Sequence, residues 1–395
     1  MNYATDISAG RSPGLLTRGF VALLLTQSSF AFGFSTFFLL PKFLATKLDA
    51  TAAQIGQVMG VFGVSAVVLI LLVGVWVDRT RRRRFMTAGS LLMALSSLGF
   101  LWVESVGPLI FALRILQGCA FALMFIAAST LVTDQAPPER LGRALGLFGV
   151  ATLSMHAIAP AIVERTAESN GWGPVFMLAG ASCLIACVLS RFVPENRVSP
   201  GAEDEVPGLG TALRRQGVLR MALIVALVGN AFGTMFTFHQ PFALELGIEH
   251  VRGFFVSYAV AALLVRMFLG GLADRTGRRR VSSLSLVLYG VVVLWMTQLT
   301  PGLLEWIGVA FGFAHGLLYP ALNAIAVEGA GEHERGKVMA IYNASFNVGF
   351  AGGITLLGAL AERVGYPPIF VLAGAGCFLA LILLVTGAGS PARSR

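Results

Sequence analysis

The chain has 395 residues, of which 56% are hydrophobic and only 12% charged, and its mean hydropathy is +0.78. No soluble core of this size buries so much apolar side chain, so a water-soluble domain is excluded and a bilayer is the solvent that fits. The formal charge of +9 comes from basic residues scattered through the loops between apolar runs, which reports membrane orientation and excludes a nucleic-acid partner.

The first seventeen residues are polar, and the apolar run after Arg18 is too long for the core of a cleaved leader, so it reads as a retained first span. Stretches of about 20 residues, enough to cross roughly 30 Å of hydrocarbon as helix, then follow one another along almost the whole chain. They lie at 18–41, 54–77, 85–103, 107–133, 142–163, 172–192, 219–243, 251–273, 281–300, 303–327, 337–361 and 367–388. The expected fold is an all-α membrane protein of twelve spans. Cys119, Cys183, Cys187 and Cys377 all fall inside spans without metal-type or disulfide spacing, which makes them packing residues.

The loop after the second span reads "GVWVDRTRRRR" from Gly74, and the loop after the eighth reads "GGLADRTGRRR" from Gly270, half a chain later. Other stretches repeat at a similar offset: "FGFSTFFLLP" at Phe32 matches "FGTMFTFHQP" at Phe232, and "GWGPVFMLAGASC" at Gly171 matches "GYPPIFVLAGAGC" at Gly365. Six spans are thus followed by six related ones. The polar, Pro/Gly-rich segment 194–217 divides an N-terminal bundle, 1–193, from a C-terminal bundle, 218–395. With the N-terminus placed in the cytoplasm, 22 Lys and Arg fall on that side and five opposite. That asymmetry predicts a multi-pass protein of the cytoplasmic (inner) membrane with both termini and the linker inside.

These residues resemble the major facilitator superfamily, whose loop between helices 2 and 3 carries Gly-x-x-x-Asp-Arg-x-Gly-Arg-Arg. The second copy matches in full with Gly270, Asp274, Arg275, Gly277, Arg278 and Arg279; the first has Gly74, Asp78 and Arg79 but Arg81 in place of the second glycine. The resemblance implies two pseudo-symmetric six-helix bundles working by alternating access, with Gly74, Asp78, Arg79, Gly270, Asp274 and Arg275 as a cytoplasmic latch. Arg82–Arg84 and Arg278–Arg280 read as topology anchors. "ALRILQG" on helix 4 supplies the family's Arg114, tied in relatives to proton coupling. The Gly-rich helix 5 pattern of proton-coupled drug antiporters is mostly missing: Gly146 and Pro160 fit, but Met155, Ala159 and the pair Val163–Glu164 stand where glycines are expected. That weakens a drug-antiporter assignment.

The resemblance implies a central cavity lined by helices 1, 4, 7 and 10. At about 1.5 Å rise per residue, Gln27, Gln117, Asn230 and His315 come about halfway across, with Arg114, Gln117, Phe121 and Met124 in one stripe and His315, Tyr319 and Asn323 in another. His156 and Asn347 reach a similar depth, and Arg266 lies nearer the cytoplasm. The substrate-binding candidates are therefore Gln27, Arg114, Gln117, Asn230, Arg266, His315, Tyr319 and Asn347. Gln27 and Asn347 are equally able to serve only as bonds between helices. Asp78, Glu104, Asp134, Glu164, Glu245, Glu305, Glu328 and Glu362 all fall at predicted span ends, so no carboxylate is expected at the midplane.

A site with arginines, histidine and amides but no acid suits a small amphipathic or anionic organic solute. Protons are a candidate coupling ion, with Arg114, His156 and His315 as candidate carriers, and facilitated uniport is the uncoupled alternative. Two alternatives remain open at this point. One is uptake of a soft, copper-like metal ion through Met155–His156 and Met235/His239; the other is a lipid flippase, which needs a cavity open sideways to lipid. No Ser/His/Asp, metal-ligand or Walker arrangement is present, so neither enzyme activity nor a cofactor nor a resident metal is expected. The expected partners are a small-molecule substrate and membrane lipids, with the chain acting as a monomer.

Overall fold

The computed structural model of the chain describes residues 15–77, 82–137, 140–194, 216–328 and 335–387. Among them there are helices and no strands. Twelve helices are long and apolar enough to cross a membrane. In chain order they are α1 (Arg18–Lys47), α2 (Ala52–Val77), α3 (Arg82–Trp102), α4 (Pro108–Gln135), α5 (Leu141–Asn170), α6 (Trp172–Phe192), α7 (Gln216–Glu245), α8 (Arg252–Leu269), α9 (Arg278–Gln298), α10 (Leu304–Ala326), α11 (Arg335–Val364) and α12 (Tyr366–Thr386). Large apolar side chains exposed on the outside, such as Leu72, Leu284, Phe268 and Leu356, form the lipid-facing belt of a multi-pass membrane protein.

The internal repeat is visible as packing. In the first half α1 meets α5 and α6, α2 meets α4, and α3 meets α4 and α6; the second half repeats each pair six helices later. The repeated "GW" and "GY" dipeptides mark equivalent corners. Gly171 and Gly365 hold φ of +79° and +81° ahead of α6 and α12, a backbone region that only glycine enters freely.

The two bundles join along α2 against α11 and α5 against α8. In the first seam Gly56 and Gly60 of α2 let α11 approach so closely that a Cβ at Gly56 would fall on the Ile354 carbonyl oxygen and one at Gly60 on the Thr355 hydroxyl. Both glycines sit near the start of α2, so this seam is tight at the end of the molecule opposite the 194–217 linker. That end is called the gate end below and the other the linker end. Most of the linker lies outside the described residues.

Three helices run further than their apolar stretches suggest. α1 continues through a 3₁₀ turn, Phe37–Leu39, to Lys47, α5 reaches Asn170 and α11 reaches Val364. Hydropathy ends where charge begins, but in α1 and α5 the first of these charges, Lys42 and Glu164, are buried against each other at the gate end, so those helices run on past them. Glu164 is consequently not at a span end. It lies inside α5 with its side chain fully buried.

Candidate functional site

The sequence candidates separate into a central cluster and residues placed elsewhere. In the first bundle Arg114 is 3% exposed and spans from α4 to α2: its Nε donates to the Val58 carbonyl oxygen at 3.3 Å, its guanidinium lies 4.7 Å from the Phe62 ring centre, and a terminal nitrogen donates to Gln117 Oε1 at 2.8 Å. Arg114 has taken up the acceptor of Gln117, so the amide nitrogen of that residue is left buried and without a partner. Gln27 of α1 donates to Thr152 of α5 at 2.9 Å and leaves its own Oε1 buried and unpaired. His156 of α5 stands edge-on to Phe38 at 4.9 Å, with its Nε2 likewise unpaired.

In the second bundle His315 stacks between Phe232 at 5.0 Å and Tyr319 at 5.6 Å, and its Nδ1 lies 3.4 Å from the Tyr289 hydroxyl. Tyr319 donates to Asn343 Oδ1 at 3.2 Å. Arg266 of α8 lies within electrostatic reach of His156, His315, Tyr258 and Tyr319. Its buried Nε has no hydrogen-bond partner. Among the described residues no carboxylate pairs with Arg114 or Arg266. Arg266 also lines a cavity of about 830 Å³ at the linker end, between α5, α8 and α10.

Two candidates, Asn230 and Asn347, and one member of the helix 4 stripe, Met124, are placed apart from this cluster. Asn230 packs against Gly353 in the α7–α11 contact, Asn347 donates to the Asn343 carbonyl one turn back on α11 at 2.8 Å, and Met124 faces Ser90 of α3. Equal depth along a helix did not imply a shared face.

Of the two loops expected to form a latch, the second lies among the described residues. Asp274 is 67% exposed and pairs only with Arg278, four residues on, at 3.0 Å, in a loop that turns at Gly277 with φ +101°; Gly270 and Arg275 flank it, both exposed. Asp78 and Arg79 lie outside the described residues, as do the surroundings of Gly74. Two arginines expected to be topology anchors do more. Arg82 pairs with Asp134, tying α3 to α4, and Arg279 donates to the terminal carbonyls of Leu384 and Val385, closing the end of α12.

Among the described residues the gate end holds the most extensive polar network, and no local sequence pattern marks it as a unit. Glu164 Oε1 accepts from Lys42 Nζ at 2.6 Å and from the backbone N–H of Val251 at 2.9 Å; its Oε2 accepts from the N–H of Arg252 at 2.9 Å and from the Arg252 guanidinium at 3.4 Å. A carboxylate of the first bundle thus caps the first helix turn of α8 in the second. Glu168 adds Arg252 at 3.2 Å and His250 at 2.9 Å, and Lys42 Nζ also reaches the Glu249 carbonyl. Gln240 of α7 donates to the Phe38 carbonyl of α1 at 2.8 Å, and beneath it Phe38 packs on Phe236 and Phe255 across the bundle boundary at 5.4 and 5.8 Å. The one sequence clue was Glu164 itself, which stands where the antiporter pattern has glycine.

The Met235/His239 pair does not form an open soft-metal site. His239 is fully buried, bonded to the Met235 carbonyl and packed 4.1 Å from Phe254. The one group of ligand-type residues close enough together among those described, Glu164, Glu168 and His250, already carries Lys42 and Arg252, two fixed cations that repel a metal ion.

Two bundles of six membrane helices, joined at one end by an ion-pair network and an aromatic layer and enclosing a cavity beside Arg266 toward the other, have the architecture of a membrane transporter. The Major Facilitator Superfamily model matches residues 21–270 and 252–395, and the chain belongs to that family. It is therefore a transporter and not an enzyme. It is 25% identical over 366 residues, 87% of this chain and 89% of the relative, to the multi-drug resistance efflux pump PmrA homolog of Lactococcus lactis. It is 26% identical over 267 residues, 64% of this chain and 66% of the relative, to multidrug resistance protein MdtG of Citrobacter koseri. These relatives carry the multidrug name although most of the helix 5 glycine pattern is missing here. The fold is shared with the human organic anion transporter MFSD10 (TM-score 0.71, 15% identity, 94% of this chain and 100% of that one) and with the nucleoside transporter NupG (TM-score 0.77, 13% identity, 94% and 99%).

Proposed function

We propose that the chain is a secondary transporter that moves an amphipathic organic anion across the cytoplasmic membrane by alternating access, in a form closed at the gate end and open at the linker end. The observation that carries the substrate class is the positive charge of Arg266, which faces a cavity with its Nε unpaired and has no described carboxylate to neutralise it. An uncompensated charge among membrane helices is costly, and an anionic ligand removes that cost when it binds. Gln117 offers a second donor, its amide nitrogen left without a partner by Arg114. Arg114, already bonded to Val58 and Gln117, acts by holding that geometry. The efflux names of the relatives support export, and the excess of basic residues in the linker-end loops supports a cytoplasmic linker end. In this reading His156 and His315 are the proton carriers of any coupling, because both rings lie within range of the Arg266 charge and the substrate's negative charge would change their protonation.

The test is ligand stabilisation of the purified protein against organic acids and organic cations of matched size. Acids are expected to raise the melting temperature and cations not. Arg266→Gln should weaken binding of an acid by about 2–4 kcal/mol, roughly 30- to 1000-fold, the value of a buried charge-assisted hydrogen bond. Arg266→Lys should recover only part, since it keeps charge but loses the planar fork. Unchanged affinity in well-folded Arg266→Gln protein would remove the anion site.

A further inference from the structure

Most glycines in these helices allow close packing: a Cβ at Gly118 would strike the Phe62 carbonyl oxygen, and one at Gly312 the Tyr258 carbonyl oxygen. Gly142, Gly146 and Gly149 of α5 differ. A Cβ at Gly142 or Gly146 meets nothing within 4 Å, and one at Gly149 would lie at ordinary contact distance, 3.8 Å, from the Arg266 guanidinium. Glycine inside a helix is less favourable than alanine, because it loses more backbone freedom on folding. Here no neighbour demands it, and what the three keep is open space.

At spacings of four and three residues they form one face, about 10 Å long at the helical rise, running from the linker end of α5 up to Arg266. Leu263 and Arg266 of α8 and Gly270 just after it repeat the spacing on the opposite wall, and Tyr319 and Asn323 of α10 form the back. Asn323 Oδ1 is buried there without a partner. The lining also runs outward to Leu145 and Met267, which are 45% and 63% exposed on the apolar outer surface, so the cavity is open sideways to lipid. Arg143, also in the lining, stands at its linker-end mouth, exposed and in none of the described ion pairs.

We propose that the α5–α8 seam is a lateral portal and tail groove for a membrane-dissolved acid with one extended apolar chain, its anionic head on Arg266 and its tail along the glycine face of α5. The proposal rests on the reading of Arg266 as an anion site and narrows its substrate class. Charge complementarity selects the occupant. Two arginines without acidic partners border a groove whose remaining lining is mostly apolar, and such a groove matches a negative head on an apolar tail. A neutral lipid would leave both charges unanswered, and a compact anion would leave the groove empty. An amphipath already dissolved in the linker-side leaflet enters without passing through water.

The competing use of such a face is closure, in which α5 and α8 meet glycine to backbone when the linker end shuts. The full-length protein in nanodiscs separates the two, with dodecanoate and benzoate as probes and binding followed by calorimetry. The readout is the ratio of their affinities, in which the membrane partitioning of each probe cancels between variants. Gly146→Phe places a ring in the groove and should lower the dodecanoate-to-benzoate ratio about tenfold or more, equivalent to displacing about two methylenes from their contacts. Gly146→Ala should lower it by less, which guards against a folding defect in the larger substitution. Arg266→Gln should weaken both probes about 30-fold or more and leave the ratio unchanged. An unchanged ratio in both Gly146 variants, with Arg266→Gln still weakening both acids, overturns the portal and keeps the anion site. Unchanged affinities in Arg266→Gln, or no binding of either acid, overturns both.

Discussion

Neutralising Glu164 should open the gate end. The carboxylate is fully buried and accepts four hydrogen bonds, two of them from backbone N–H groups at the start of α8. Glu164→Gln keeps one acceptor oxygen and the shape, but it leaves the Lys42 ammonium, 10% exposed, without its nearest counter-charge. Breaking a buried ion pair by removing one partner costs about 3–5 kcal/mol. Two contacts reduce that figure: Lys42 retains the Glu249 carbonyl and Glu168 at 3.7 Å, and the glutamine oxygen can still accept from one backbone N–H. We therefore expect about 2–3 kcal/mol against the gate-closed form, a shift of roughly 30- to 150-fold in the equilibrium between the two forms.

The assay is pulsed electron–electron distance measurement between spin labels at Thr46 and Leu246, which end α1 and α7 on opposite bundles beside the gate. Glu164→Gln should add a longer-distance population. Adding Lys42→Met should withdraw part of it, because no buried unpaired ammonium then remains. An identical distance distribution in wild type and Glu164→Gln would mean that the aromatic layer around Phe38 and the α2–α11 seam hold the bundles together unaided.

The same label pair tests that seam: Gly56→Leu drives a side chain into the Ile354 carbonyl and should also populate the longer distance, whereas an unchanged distribution would show that α11 yields locally. Asp274→Asn removes only an exposed pair within one loop, so the melting temperature of this form should change by less than the equivalent of about 0.5 kcal/mol while transport slows if the loop latches the opposite form; normal transport would reduce the loop to a topology anchor. Arg114→Met should lower stability by about 2–4 kcal/mol, because the Val58 carbonyl and Gln117 lose a charged donor; a thermal unfolding shift near zero would show that Arg114 holds nothing. A single cysteine in the 194–217 segment of a cysteine-free chain should resist an impermeant thiol reagent in intact cells, and robust labelling would reverse the proposed orientation.

The twelve spans and the two-fold repeat were legible because both are written in local composition: apolar length gives each helix, and a loop copied half a chain later gives the duplication. Arg114 and Gln117 were legible for a related reason. Three residues apart on one helix, they had to share a face, and the structure joins them by a hydrogen bond. Depth alone was a weaker guide, since Asn230 and Gln117 stand equally far across the membrane yet Asn230 turns into the α7–α11 contact. The gate was illegible for a physical reason. Its members are Lys42, Glu164, Glu168, His250 and Arg252, drawn from three stretches of chain, and each looks like an ordinary loop charge because hydropathy cannot tell a charge facing water from one facing its counter-ion. What could have exposed it is the cost of Glu164. A carboxylate replacing glycine inside a helix that packs against another bundle is stable only with cations opposite it, and Lys42 and Arg252 are two of the five basic residues on that side of the predicted topology. One of the departures of this helix from the antiporter pattern, Glu164, is thus the residue that ties α5 to α8 at the gate end. At the linker end of the same two helices, glycines hold space open beside Arg266. One helix pair therefore carries both the ion-pair network and the glycine-lined cavity, and in the proposed alternating access a rotation that breaks the Glu164 network would bring the glycine face of α5 toward α8.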